Sequence, residues 1–136
     1  MKLIVCLDDH NGMAFNHRRQ SKDRVLQERI VSFVGKSVLR MNGYSEKQFF
    51  LKPDMLYVND DYLDTAEAED YCFVETDDVT SYLAKANEVA IFRWNRRYPA
   101  DLYFPMDRLR CDFQKISTAD FQGNSHETIT QEVYSR

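Results

Sequence analysis

Glycine and proline are scarce in this chain, four and three among 136 residues. That excludes a long flexible linker or a low-complexity tract, and leaves most of the chain to regular structure. Long apolar runs are also missing. None approaches the ~20 residues that a membrane-spanning helix needs. The opening MKLIVCLDD is apolar over too short a stretch, and has no small-residue cleavage site, to be a signal peptide. An excess of positive charge is absent too: the net charge is −4 and the pI about 5.3. A general DNA or membrane-surface binder is therefore not expected, although a local basic patch could still hold an anion. Cysteine is sparse and odd in number. Cys6, Cys72 and Cys111 form no CxxC pair and no zinc spacing. Cys6 and Cys72 lie in apolar runs and read as buried free thiols, with Cys111 more exposed. A reducing, cytoplasmic setting fits.

What is present points to one globular domain over residues 1–136. Apolar residues make up 43% and aromatics 13%, enough for a core. Lys2–Leu7 reads as a buried strand, broken by Asp8–Gly12 with its Asn-Gly turn signal. Ser21 is the expected N-cap of a helix over 22–34, and Gly35 its C-terminal stop. Strands are expected at 37–41, 55–58, 71–74, 89–95, 113–117 and 127–134. A short helix is expected near 45–50 and another at 77–85. Residues 60–68 read as loop, and 122–125 as the turn of a closing antiparallel pair. Alternating strands and helices imply an α/β fold, a mixed sheet flanked by helices and ending in that antiparallel pair.

The stretch from Tyr71 to Trp94 has the layout of a nucleotide site: strand, turn, helix, strand. Its turn is Glu75-Thr76-Asp77-Asp78, with three acids and no glycine. Several segments in order resemble the dihydrofolate reductase family. Asp8…Asn11-Gly12-Met13-Ala14 is similar to that family's D-x-N-G-x-I-G loop after the first strand. Ser21-Lys22-Asp23 resembles its P-x-D helix start. Gly35-Lys36-Ser37-Val38-Leu39 resembles its G-K-x-V-I strand, with Ser45-Glu46 in the following helix. Asp101-Leu102-Tyr103-Phe104-Pro105 resembles its D-T-x-F-P element, and the terminal hairpin with Asn124-Ser125-His126 fits its last strands. The resemblance implies a dihydrofolate reductase-like mixed sheet and would make Asp23 the match of the pterin-contacting acid.

Departures from the family's pattern bear on function. The family's adjacent glycines let backbone N–H groups approach a pyrophosphate. Here Glu75 and Thr76 bring side chains, and Asp77 and Asp78 bring negative charge that repels phosphate. The family's M-G-R-x-T arginine is displaced to Arg40, and its strand threonine falls on Phe92. No cofactor is expected: neither NADPH binding nor folate reduction.

Two basic runs are interleaved with aromatics: His17-Arg18-Arg19 and Arg93-Trp94-Asn95-Arg96-Arg97-Tyr98. If the resemblance holds, residues 8–20, 93–101 and 124–127 meet in space. Arginine forks bind phosphate or carboxylate, and rings stack on bases. His17, Arg18, Arg19, Arg93, Trp94, Arg96, Arg97, Tyr98, Ser125 and His126 are thus the candidate residues for a small anionic or RNA-like ligand. The bland alternatives are a solvated network of Arg18, Arg19, Arg96 and Arg97 with Asp8, Asp9, Asp101 and Glu127, and Trp94 as packing. A second functional reading is a metal-assisted hydrolase or nuclease, using Asp8, Asp9, His10 and Glu127 as ligands and His126 or Asp23 in catalysis. No spacing supports it specifically. Ser125 and His126, adjacent on a strand, would point apart and not pair. A third reading is a partner-binding protein without a small-molecule site.

Overall fold

The computed structural model describes all of residues 1–136. The first strand, β1 (Lys2–Leu7), sits inside a seven-stranded sheet with parallel neighbours on both sides. Leu3, Val5 and Leu7 face one hydrophobic core and Ile4 the other, so an unbroken apolar run is what the position demands. The remaining elements in chain order are β2 (Gly12–Phe15), β3 (Arg18–Arg19), α1 (Arg24–Val34), β4 (Val38–Met41), α2 (Gly43–Glu46), β5 (Met55–Val58), β6 (Tyr71–Phe73), β7 (Glu88–Arg93), β8 (Leu102–Tyr103), α3 (Met106–Asp112), β9 (Gln114–Phe121) and β10 (Ile129–Ser135). The large sheet runs β5-β4-β6-β1-β7-β10-β9. Its first five strands are parallel, and β10 lies antiparallel to both β7 and β9. The closing antiparallel pair is as the sequence predicts.

Helix α1 buries Leu26, Ile30 and Val34 against one face of the sheet. It stops where Gly35 takes φ 60° and sends its N–H to the Val31 carbonyl. Its N-cap is Asp23, not Ser21: the Asp23 side chain accepts from the N–H groups of Val25 and Leu26. The Ser21 side chain is turned elsewhere, as described below. On the opposite face, α3 contributes Met106 and Leu109 to the second core.

The sequence reading leaves out two pieces. One is α3, although Pro105 just before Met106 is a legible start signal. Another is the small sheet β3-β2-β8. Its β2–β3 hairpin turns on Asn16 and His17, both at positive φ (51° and 60°), the two-residue turn geometry that Asn and His tolerate better than most. Gly12 lets this layer close: a Cβ there would lie 2.6 Å from the Ala100 Cβ and 2.8 Å from the Asp8 carboxylate. The expected 77–85 helix, by contrast, shrinks to a single 3-10 turn at Thr80–Tyr82. Cys72 is buried and Cys111 exposed as expected, whereas Cys6 is only partly buried. No helix is long and apolar enough to cross a membrane.

Candidate functional site

Segments 8–20, 93–101 and 124–127 do meet. The Asp9 N–H donates to the Arg96 carbonyl, Gln20 Nε2 to the Pro99 carbonyl, and Arg96 to the Ser125 carbonyl. They assemble two regions, each built on a buried carboxylate.

The first is the acidic turn after β6. Glu75 is buried, and its carboxylate receives Arg19 through Nε at 3.0 Å and Nη2 at 3.1 Å. Gln48 Nε2 adds a third donor at 2.7 Å. The Arg19 guanidinium in turn lies over the Tyr44 ring, 4.3 Å from its centroid. A forked guanidinium on a carboxylate, backed by an aromatic face, is a rigid unit. The other two acids are also taken. Asp77 accepts from the Tyr62 hydroxyl at 2.6 Å, and Asp78 accepts the N–H and the hydroxyl of Thr80. Burial, helped by the Asp77 carboxylate, pushes the Tyr62 phenol far up, so it remains a donor. Although the Cys6 residue keeps some exposure, desolvation of its thiol, with Glu75 adding to it, raises its pKa and keeps it protonated. The three carboxylates of the turn are thus all engaged by the protein's own groups.

The second region is built on Asp23. Its Oδ1 accepts from the N–H groups of Val25, Leu26 and Asn124. Its Oδ2 accepts the Ser125 N–H at 2.8 Å and faces His126 Nδ1 at 3.1 Å. Burial alone would raise this carboxyl; the N–H groups of Asn124 and Ser125 and the His126 imidazole outweigh it and hold the pKa far below the usual range. A permanent carboxylate can only accept, so in the neutral imidazole the proton belongs on Nδ1 and Nε2 is the acceptor. Two hydroxyls face Nε2: Tyr98 at 3.0 Å and Ser21 at 3.2 Å. Trp94 stacks on the ring with centroids 4.6 Å apart. His126 is therefore held on both edges and one face. Gly123 permits the fold-over, since a Cβ there would lie 2.6 Å from Asp23 Oδ2.

This corrects the expectation for Ser125 and His126. They lie on a bend before β10, not on a strand, and the Ser125 hydroxyl approaches His126 Nδ1 at 3.1 Å. Ser21, absent from the sequence candidates, takes part in the constellation. Its partner is 105 residues away, and no local signal reports such a contact.

Of the other candidates, Trp94 and Tyr98 stay with His126 and the rest disperse. Arg93 turns inward to Glu132 and Asn11. Trp94 is buried packing. His17 lines a cavity of about 380 Å³ with Thr76, Asp78 and Asp101, on the acidic side of the hairpin. Arg96 lines one of about 160 Å³ with Glu127. Arg97 is exposed. Arg18, Arg19 and Tyr98 share a cleft of about 270 Å³ with Phe15, Gln20 and Pro99. None of the four arginines pairs with Asp8, Asp9, Asp101 or Glu127; Arg19 takes Glu75 and Arg96 takes a carbonyl. The proposed metal ligands do not converge either. Asp8 spends its carboxylate on the N–H groups of His10 and Gly12 and on Gln20, and no three His, Cys, Asp or Glu side chains are placed to share an ion.

No protein-family model and no curated protein matches the chain. Among solved structures it is similar to dihydrofolate reductase from Enterococcus faecalis in complex with NADP(H) and RAB-propyl, with a TM-score of 0.66 over 99% of this chain and 95% of that one, at 9% identity. The likeness extends over nearly the whole of both chains, and at that identity it carries architecture alone: this protein has a dihydrofolate reductase-like fold.

Proposed function

We propose that this chain is a non-reductase of dihydrofolate reductase-like fold that binds a small anionic ligand in the cleft between the β2–β3 hairpin and Tyr98-Pro99. The observation that carries the reading is the unmatched polarity of that cleft. Arg18 is exposed on its wall with no ion pair, and Gln20 Oε1 is buried beside it with no hydrogen-bond partner. An exposed, unpaired guanidinium suits a ligand with an anionic group. Phe15 and Tyr98 add flat surface for a ring. The cleft is small, which favours a mononucleotide-sized molecule over a folded RNA. Against a reductase stands the Glu75–Arg19 pair, which puts a carboxylate and its own cation where the resembling family has glycines.

Thermal shift with 5′-AMP tests this, with inorganic pyrophosphate as an anion that lacks a ring. A ligand at a hundred times its Kd adds about 2.7 kcal/mol, a plainly visible rise in Tm. The expected result is a saturable rise with 5′-AMP that Arg18→Glu abolishes. No rise with either compound, in a protein that melts cooperatively, would overturn the anion site. So would a rise that Arg18→Glu leaves intact.

A further inference from the structure

We propose that Ser21, His126 and Asp23 form a nucleophile, base and orienting carboxylate that cleave carboxylic esters or thioesters. Acyl transfer by serine needs three things of its side chains. A hydroxyl must face an imidazole nitrogen that carries a lone pair, the other ring nitrogen must be held in its N–H form, and the holder must stay ionised. All three are present. Ser21 Oγ is 3.2 Å from His126 Nε2, and Asp23 Oδ2 is 3.1 Å from Nδ1. The Asp23 carboxylate is wholly buried and saturated with N–H donors, so it orients and stabilises an imidazolium without taking its proton. Trp94 stacked on the ring prevents it from swinging away.

Access separates this arrangement from a mere structural knot. Asp23 and His126 are buried, whereas Ser21 is partly exposed. It follows Gln20 in the chain and shares Nε2 with Tyr98, and both of those residues line the cleft. Tyr98 also supplies a donor. One lone pair on Nε2 accepts one hydroxyl proton; when Ser21 takes that bond, the Tyr98 O–H is free for the carbonyl oxygen of a substrate. In the reaction the Ser21 oxygen bonds to the carbonyl carbon as its proton moves to His126 Nε2. The alkoxide or thiolate then leaves with that proton. Water, deprotonated by the same nitrogen, cleaves the acyl-serine and restores the hydroxyl. Ser21 and His126 are the catalytic residues, and Asp23 is a positioning residue. That the substrate also carries an anionic group rests on the cleft reading above.

A neutral fluorophosphonate probe, blind to that anion reading, tests the nucleophile by itself. Its phosphorus–fluorine bond breaks as the serine oxygen bonds to phosphorus, fluoride leaves, and the adduct is located by peptide mass spectrometry. The expected result is a single adduct on Ser21 in the native protein, lost in urea and absent in Ser21→Ala. In His126→Gln the labelling rate should fall on the order of a hundredfold or more. No adduct in the native protein, an adduct on Ser125 instead, or equal labelling in urea would each overturn the proposal. Should His126→Gln fail to fold, the comparison of native protein with urea still decides. Hydrolysis of p-nitrophenyl acetate that Ser21→Ala abolishes is the expected companion result; equal turnover by wild type and Ser21→Ala would count against the site.

Discussion

The two buried carboxylates of this protein are answered in different ways. Glu75 is met by a permanent cation that packs on an aromatic ring. Asp23 is met by four backbone N–H groups and an imidazole whose far nitrogen faces two hydroxyls. A guanidinium does not give up its proton in water, so the first arrangement holds two loops together and can do little else. An imidazole can pass a proton, so the second is structural at Asp23 and chemically available at Nε2. The difference shows where chemistry can reside in this fold. At the acidic turn every carboxylate is already engaged, whereas at the 123–126 bend one imidazole nitrogen faces only hydroxyls.

The contrast is broken hardest at Asp23. In Asp23→Asn one oxygen becomes an NH₂ group, which then faces either the Val25, Leu26 and Asn124 N–H groups or those of Ser125 and His126. At least two buried donors lose their acceptor, and the expected cost is about 4 kcal/mol. For a chain of this size that lowers Tm on the order of 10 °C or more. A Tm within two or three degrees of wild type would mean that the bend over α1 contributes nothing to the fold.

At Glu75 the same kind of damage should be repairable. Arg19→Met strands a buried carboxylate with only Gln48 as donor, and the expected loss is about 2 kcal/mol, moderated by the partial exposure of the pair. Replacing both partners, Arg19→Met with Glu75→Leu, removes the stranded charge and should recover most of it. Urea denaturation of the two variants measures this. A double variant no more stable than the single one would show that the pair does more than satisfy itself.

Acid sharpens the comparison more gently. The folded-state pKa of Asp23 lies below its unfolded value, near 3.9. The folded protein therefore binds fewer protons there, and the carboxylate's contribution is complete above the unfolded value and fades as pH falls below it. Between about pH 4 and pH 3 the expected loss from this one group is about 1 kcal/mol. Asp8 and Asp78 are shifted in the same direction and add to the acid sensitivity of the wild type. Asp23→Asn should lose less stability than wild type over that interval, and parallel pH curves would refute the assignment.

Much of the scaffold was legible because it is local. The short apolar runs Lys2–Leu7 and Met55–Val58 each show in a few adjacent residues, and the Gly35 stop follows from one residue's conformational freedom. The order of segments also pointed to the observed fold. The site was legible only in outline. That residues 8–20, 93–101 and 124–127 meet follows from the fold, but which side chains meet does not. Arg19 could as well have paired with Asp8 as with Glu75, which lies 56 residues away. Ser21 reads as a helix cap until Asp23 is seen to hold that role. His126 reads as a strand residue until the bend turns it onto α1. Both errors come from one cause: a side chain with two adequate local uses is assigned by a distant partner.

The smallest expected effect concerns the dinucleotide. NADPH needs backbone N–H groups that can approach its pyrophosphate, and at Glu75–Asp78 those approaches are occupied by acids already bound to Arg19, Gln48, Tyr62, Asn42 and Thr80. Seating the cofactor would mean breaking the Arg19 fork and burying phosphate beside uncompensated carboxylates. The Arg19 guanidinium so freed is a donor, but Glu75, Asp77 and Asp78 would remain as repelling charges beside the phosphate. Thermal shift with NADPH should therefore show no movement of Tm at concentrations where 5′-AMP saturates. A dose-dependent rise would show that the acidic turn opens, and the difference between the two carboxylates would then be one of resting state rather than of kind. Arg19→Met with Glu75→Leu distinguishes these. If the closed pair is what excludes the dinucleotide, that variant should gain at most a weak response, because the glycines that admit a pyrophosphate are still missing.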